Sequence, residues 1–276
     1  KISLFDLSDP IHKTASDLFD VGRTLPIISP HGHVNPELFA NEMARFTDPA
    51  SLFIIPDHYV VRMLISRGVT FEQLGIFPKG SEGLQCDPRE IWQIFCDHFS
   101  AFDGTPTGMW IENALAMVFG IYEKPTSQNA NSLYYMIQDA IDRLDMTPRS
   151  LFEKFNIEVL CTTDDAFDSL DVHQVIQKSG WTGHIKPTFR ADRLVHIELP
   201  NWSDHIHQLE EVSKREISTY ASFIQAFEDQ RAHFKTMGAV ATDLSVTTPF
   251  TCHLSPGTVE QLFQKGIKGS LSTDEQ

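Results

Sequence analysis

Four short strand-like runs that each end in polar residues punctuate the chain. Leu25-Pro26-Ile27-Ile28 leads into Ser29-Pro30-His31-Gly32-His33, the pattern of a buried strand with a polar exit. Ile157 to Cys161 leads into Thr162-Thr163-Asp164-Asp165, His184 to Pro187 into Thr188-Phe189-Arg190, and Gly238 to Ala241 into Thr242-Asp243. Helical stretches lie between them. Leu209, Val212, Ile217, Tyr220, Ile224 and Phe227 recur at roughly helical spacing, which predicts a long helix running to Gly238 as its stop. Buried strands alternating with helices imply a parallel sheet in an α/β fold. Polar residues gathered at strand C-termini are what the active site of a (β/α)8-type barrel requires.

The stretch from Asp48 to Ser150 shows helices and no clear strand. Asp57 can cap a helix through Val60, Val61, Leu64 and Ile65; Ile91, Trp92, Phe95, Phe99 and Phe102 mark a second, and Leu133 through Leu144 a third. Residues 1–47 therefore read as a first barrel strand with its flanks, 48–150 as a helical insertion, and 151–276 as further β/α units. Four strands cannot close a barrel, so either the sequence is part of a longer protein or the architecture is not a barrel. The opening Lys1, in place of Met, leaves the true N-terminus open in the same way.

The 276 residues, with 41% apolar and 21% charged, suit an ordinary globular protein with a sizeable core. No apolar run approaches the ~18–20 residues of a membrane span, so no membrane association is expected. Lys and Arg total 22 against 37 Asp and Glu, a net charge of −15 that argues against a nucleic-acid partner. It does not argue against a small anionic substrate, since one well-placed Arg outweighs charges screened within ~10 Å. The four cysteines, Cys86, Cys96, Cys161 and Cys252, have no Cys-x-x-Cys spacing and read as buried or free thiols in a reducing cytoplasm.

His31-Gly32-His33 is the sharpest local signal. Residues i and i+2 of a strand share a face, so two imidazoles can converge on one metal, and Gly32 leaves room for close approach. His205-Ile206-His207 has the same spacing but sits near the start of the long helix, where i and i+2 diverge by about 200°, and reads as ordinary surface. In Asp57-His58-Tyr59, a cap at Asp57 places His58 and Tyr59 in a first turn, with Arg62 on their side at i+4 and i+3. That arrangement is either a pocket for a carboxylate or hydroxyl-rich substrate or a capped helix with incidental polar residues. Arg190 offers a planar fork for a carboxylate, or else a salt bridge to Asp192 or Asp164. Asp164, Asp165 and Asp243 can serve as bases, metal ligands or caps, capping being the commoner outcome for Asp165 and Asp168.

Taken together, the segments Leu25–Val34 (LPIISPHGHV), Pro56–Arg62 (PDHYVVR), Cys161–Leu170 (CTTDDAFDSL) and Pro187–Asp192 (PTFRAD) resemble, in order, those of the uronate isomerase (glucuronate isomerase) family of the amidohydrolase superfamily. Gly104–Trp110 with Phe119-Gly120, and Thr251–Gly257, also resemble family segments. The resemblance implies a metal-dependent hydrolase (TIM-like) barrel, incomplete in this chain. It implies interconversion of D-glucuronate with D-fructuronate and of D-galacturonate with D-tagaturonate through an enediol. His31 and His33 would ligate a divalent metal, commonly zinc; His58 and Tyr59 would be catalytic; Arg190, Arg62, Asp164 and Asp243 would bind the hexuronate. A family His is expected right after Asp243, where Leu244 stands, and a third ligand, an Asp late in the barrel, is expected beyond this chain. The alternatives are an amidohydrolase-type metal hydrolase and a catalytically incomplete family member. A homo-oligomer is left open.

Overall fold

The structure, a computed structural model, describes residues 10–78, 86–143, 145–246 and 251–275. It divides into two compact units: residues 1–41 with 152–276, and residues 42–151. The first unit opens with α1 (Pro10–Gly22), β1 (Ile27–Ser29) and α2 (Glu37–Ala40). The second contains α3 (Pro49–Phe53), α4 (His58–Ile65), α5 (Pro88–Asp97), α6 (Pro106–Phe119) and α7 (Ala130–Ile141). The boundary falls in α8 (Pro148–Lys154). The first unit resumes with β2 (Ile157–Cys161), β3 (Asp164–Asp165), α9 (Asp171–Lys178), β4 (His184–Lys186), β5 (Phe189–Arg190) and α10 (Asp192–Val195). It ends with α11 (Trp202–Ser213), α12 (Tyr220–Thr236), β6 (Thr242–Asp243) and α13 (Pro256–Ile267). No described helix is long and apolar enough to cross a membrane.

The class is α/β, with every strand pairing parallel. Two three-stranded sheets form, in the orders β1-β2-β4 and β3-β5-β6. They are the lower and upper parts of one strand array. Backbone bonds from Thr162 N to Lys186 O (2.9 Å), Asp164 N to Thr188 O (3.2 Å) and Ala166 N to Arg190 O (2.9 Å) carry the pairing across the breaks. Pro187 falls within one break, where its missing N–H removes a ladder donor. The strand apolar faces pack on two clusters. Phe39, Phe152, Leu160, Ile176 and Ile185 lie beside the lower sheet. Phe189, Leu194, Trp202, Leu209, Phe234 and Phe263 lie beside the upper one, with the Phe189 and Phe234 rings edge to face at 5.0 Å.

The helical unit is built on aromatic residues. Trp92, Phe95, Phe99 and Phe102 are almost fully buried, with the Phe95 ring 5.2 to 5.6 Å from each of the others. The Trp92 indole N–H donates to Ala130 O at 2.9 Å, which ties α5 to the start of α7 and satisfies a buried donor.

Several sequence expectations need correction. In this chain, where β2 is the one described neighbour of β1, Leu25, Ile27 and Ile28 of the expected buried run are exposed. The fourth strand is not Gly238–Ala241 but Thr242–Asp243; Gly238 has φ +97° and Val240 is 89% exposed. The long helix is two helices. Lys214 adopts the left-handed φ of 54°, and Thr219 and Ser222 form a reciprocal capping box that starts α12. Phe99 and Phe102 belong to a separate 3-10 turn after α5 ends at Asp97. The third helix of the insertion ends at Ile141, and its expected last residue, Leu144, lies outside the described residues. His205 is not a surface residue: it is 6% exposed, stacks on Phe167 at 5.6 Å, and is bonded to Asn201 and the Arg193 carbonyl. His207, two residues on, is exposed as expected.

Candidate functional site

The polar groups of the first unit meet at the strand exits. β1 stops at Ser29, before Pro30, whose ring removes the next ladder donor. His31-Gly32-His33 therefore follows the strand as irregular chain rather than continuing it. The two rings still converge, Nε2 to Nε2 at 3.1 Å, with centroids 4.8 Å apart and planes at 87°. Gly32 lets the turn lie against β2: a Cβ there would sit 3.1 Å from the Cys161 carbonyl oxygen.

What holds each ring comes from residues far away in sequence. Thr163 Oγ1 donates to Gly32 O at 3.3 Å and so accepts, at 3.0 Å, from Nδ1–H of His33. That places the His33 lone pair on Nε2. The Asp243 carboxylate lies 3.6 Å from Nδ1 of His31, which favours the same tautomer there. Two Nε2 lone pairs 3.1 Å apart need a shared cation or proton between them. Two nitrogens each ~2.0–2.1 Å from one zinc-sized cation subtend about 98° at that spacing, so the pair fits as two ligands of a divalent metal. Among the described residues no group of three His, Cys, Asp or Glu completes such a site.

Arg190 ends β5, in register with Asp165 of β3 and Asp243 of β6. Its Nε donates to Asp192 and lies 3.6 Å from Asp243 Oδ2. The Asp192 bond is the main cause of a guanidinium pKa raised above its ordinary value. Asp243 thus stands between His31 and Arg190, its Oδ2 buried and without a hydrogen bond. It is placed to orient both the His31 ring and the Arg190 guanidinium. Of the alternatives for Arg190, the salt bridge to Asp192 is present and one to Asp164 is not.

Asp164 requires correction as a substrate-binding residue. Period-two alternation sends Thr163 and Asp165 to one face of the strand and Thr162 and Asp164 to the other. Asp164 is 6% exposed, accepts from Thr162 Oγ1 at 2.8 Å and from Thr188 N at 3.2 Å, and faces His173 of α9. Burial raises its pKa and lowers that of His173, so this pair is a structural link between strand and helix. Asp165 is the aspartate on the other face. It pairs with Arg193 at 3.3 Å instead of capping a helix, and burial pushes its carboxyl up. Asp168 makes a local turn by accepting from Leu170 N at 2.7 Å.

Thr163, Asp165, Arg190, Asp192, Arg193, His196 and Ser245 line an open hollow of about 440 Å3. Of these, Thr163, Arg193, His196 and Ser245 carry no signal of their own in the sequence, and Asp192 is marked there only by its spacing from Arg190 as a salt-bridge partner.

In the helical unit, Asp57 caps α4 by accepting from Tyr59 N (2.8 Å) and Val60 N (3.3 Å). Val60, Val61 and Leu64 bury one side, which leaves Tyr59 and Arg62 exposed. The His58 and Tyr59 rings lie 4.1 Å apart, and Trp110 of α6 meets Tyr59 edge-on at 6.4 Å. The Arg62 guanidinium makes no hydrogen bond or ion pair among the described residues. The expected cap and the shared side are both present.

The glucuronate isomerase family model matches residues 7–276. The uronate isomerase of Nostoc punctiforme is 46% identical over 265 residues, 96% of this chain and 56% of that protein. That of Rhizobium meliloti is 37% identical over 273 residues, 99% of this chain and 58% of the relative. The crystal structure of glucuronate isomerase from Caulobacter crescentus superposes with a TM-score of 0.92 at 34% identity, covering 100% of this chain and 57% of that one. The Thermotoga maritima uronate isomerase gives 0.85 at 27% identity, covering 95% and 56%. The chain thus spans 56–58% of the length of the curated relatives it matches. With a matched model over nearly its whole length, the chain belongs to the glucuronate isomerase family.

Proposed function

We propose that the protein carrying this chain is a uronate isomerase on a (β/α)8 barrel, interconverting D-glucuronate with D-fructuronate and D-galacturonate with D-tagaturonate. The observation that carries the reading is the convergence of His31 and His33 at 3.1 Å beside the Arg190–Asp192–Asp243 group. His31 and His33 would hold a divalent cation, zinc by the chemistry of two imidazole donors. Such a cation supplies stabilisation of negative charge developing on substrate oxygens. Arg190, bonded to Asp192 through Nε, keeps its terminal nitrogens for the substrate carboxylate. Asp243 orients His31 and Arg190.

The reaction is an aldose–ketose isomerisation of the open-chain sugar acid. A proton leaves C2, the electrons form an enediol, and a proton is delivered to C1 while another moves from O2 to O1. His58 and Tyr59 suit the oxygen-to-oxygen transfer, as an imidazole and a phenol with adjacent rings, and Arg62 adds positive charge on the same side of α4. A reducing cytoplasmic setting accords with four free cysteines.

Coupled measurement of D-glucuronate to D-fructuronate conversion by the full-length protein, with and without chelator, tests the reading. Turnover that falls at least ~100-fold on chelation, and likewise in His33→Ala, is the expected result. Absence of conversion of both glucuronate and galacturonate by metal-replete protein would overturn the substrate assignment. Hydrolysis of lactones or dipeptides in its place would favour the hydrolase reading.

A further inference from the structure

His196 follows α10 and faces the hollow that Arg190 lines, yet the proposed chemistry makes no use of it. Its Nδ1 lies 2.8 Å from a Glu198 carboxylate oxygen and its Nε2 3.0 Å from the Ser245 carbonyl oxygen. Both partners can only accept. A neutral imidazole has one N–H and would leave one of these contacts as two acceptors face to face, whereas the imidazolium donates to both. The Ser245 bond and then the Glu198 bond accordingly hold the His196 pKa above its ordinary value.

The contact continues toward Arg190. The Ser245 N–H donates to Asp192 Oδ1 at 2.5 Å, and Asp192 Oδ2 accepts from Arg190 Nε. One residue of the segment leaving β6 is therefore clamped from both sides, by His196 at its carbonyl and by Asp192 at its amide. We propose that His196 is a positioning residue: as a two-donor bridge from Glu198 to Ser245 it fixes the segment after β6, and through Ser245 and Asp192 it sets the direction of the Arg190 guanidinium. This deepens the hexuronate reading and rests on it for the identity of the bound anion. The charged groups around the ring are Glu198 on its own segment, Asp192 and Arg193 of α10, Arg190 at the end of β5 and Asp165 at the end of β3.

The imidazolium makes both bonds, so in the folded protein the bridge is present below the raised folded-state pKa of His196 and is lost as pH rises through it. In the full-length protein, KM for D-glucuronate should rise across that window. His196→Ala should raise KM about tenfold at neutral pH with kcat altered less than about twofold. His196→Lys, a cation with several donors, should bring KM back to within about twofold and move its rise to higher pH, since an ammonium titrates far above an imidazole. Loss of kcat with KM unchanged in His196→Ala, or failure of a fully folded His196→Lys to restore KM, overturns the proposal. A readout that needs no turnover separates this from failure of the hexuronate reading. Nitrogen-15 resonances should show both His196 ring nitrogens protonated at neutral pH, and the Arg190 Nε–H signal should shift in His196→Ala. A neutral His196 ring, or an unmoved Arg190 signal, sinks the bridge even in a protein that turns over no uronate.

Discussion

The two units place their candidate functional side chains by opposite means. In the helical unit, His58, Tyr59 and Arg62 are set by their own helix: Asp57 caps it, and Val60, Val61 and Leu64 anchor its other side in an aromatic core. In the strand unit, His31, His33 and Arg190 lie at or just beyond strand ends and depend on side chains from elsewhere. Thr163 is 130 residues from His33 in sequence, and Asp243 comes from a different strand exit. Local placement is fixed by a cap and a buried face. Distant placement is fixed by a single hydrogen bond from Thr163 and by the charge of Asp243, either of which can be removed without emptying a core.

The contrast can be broken in steps. Phe95→Ala opens a cavity among Trp92, Phe99 and Phe102 and should cost about 3–5 kcal/mol, read from the denaturant midpoint. A loss below ~1 kcal/mol would show that the helical unit does not rest on that core. Thr163→Val keeps the shape but removes the acceptor at His33 Nδ1. Divalent-metal affinity should fall ~10–100-fold in calorimetric titration while the melting temperature stays nearly unchanged. A large drop in melting temperature would make Thr163 a fold residue and erase the distinction. Asp57→Ala leaves two first-turn amides without their side-chain acceptor and should cost about 1 kcal/mol, seen as a small shift of the same denaturant curve. No shift would mean that α4 is held by packing alone.

The same contrast explains what could be read from the sequence. The Asp57 cap was legible because the signal and its consequence lie within three residues. The position of Ile157–Cys161 was legible as a largely apolar run, and His31 and His33 as a spaced pair after another. Which aspartate faces the hollow was not legible. Asp164 and Asp165 are adjacent, and a slip of one residue exchanges the two faces of a strand. The break at Lys214 was hidden because a lysine in the left-handed region carries no sequence mark, unlike Gly238. His196, Asp192 and Ser245 come together only through the fold, and no spacing announces a carbonyl and an amide of one residue gripped by two side chains. His205 was misread for a related reason. Helical divergence rules out a shared ligand for His205 and His207, yet it says nothing about which of the two faces the core.

The closeness of Gly32 to the Cys161 carbonyl sets a mechanical tolerance on the whole histidine pair. Even the smallest added side chain would force the turn and the strand apart by a few tenths of an ångström. A coordination sphere accepts deviations of only about 0.2 Å in its bond lengths. Backbone clearance at a position bearing no chemistry therefore limits how this stretch can vary, and redesign of the two histidines proposed to hold a cation has to begin by keeping that gap.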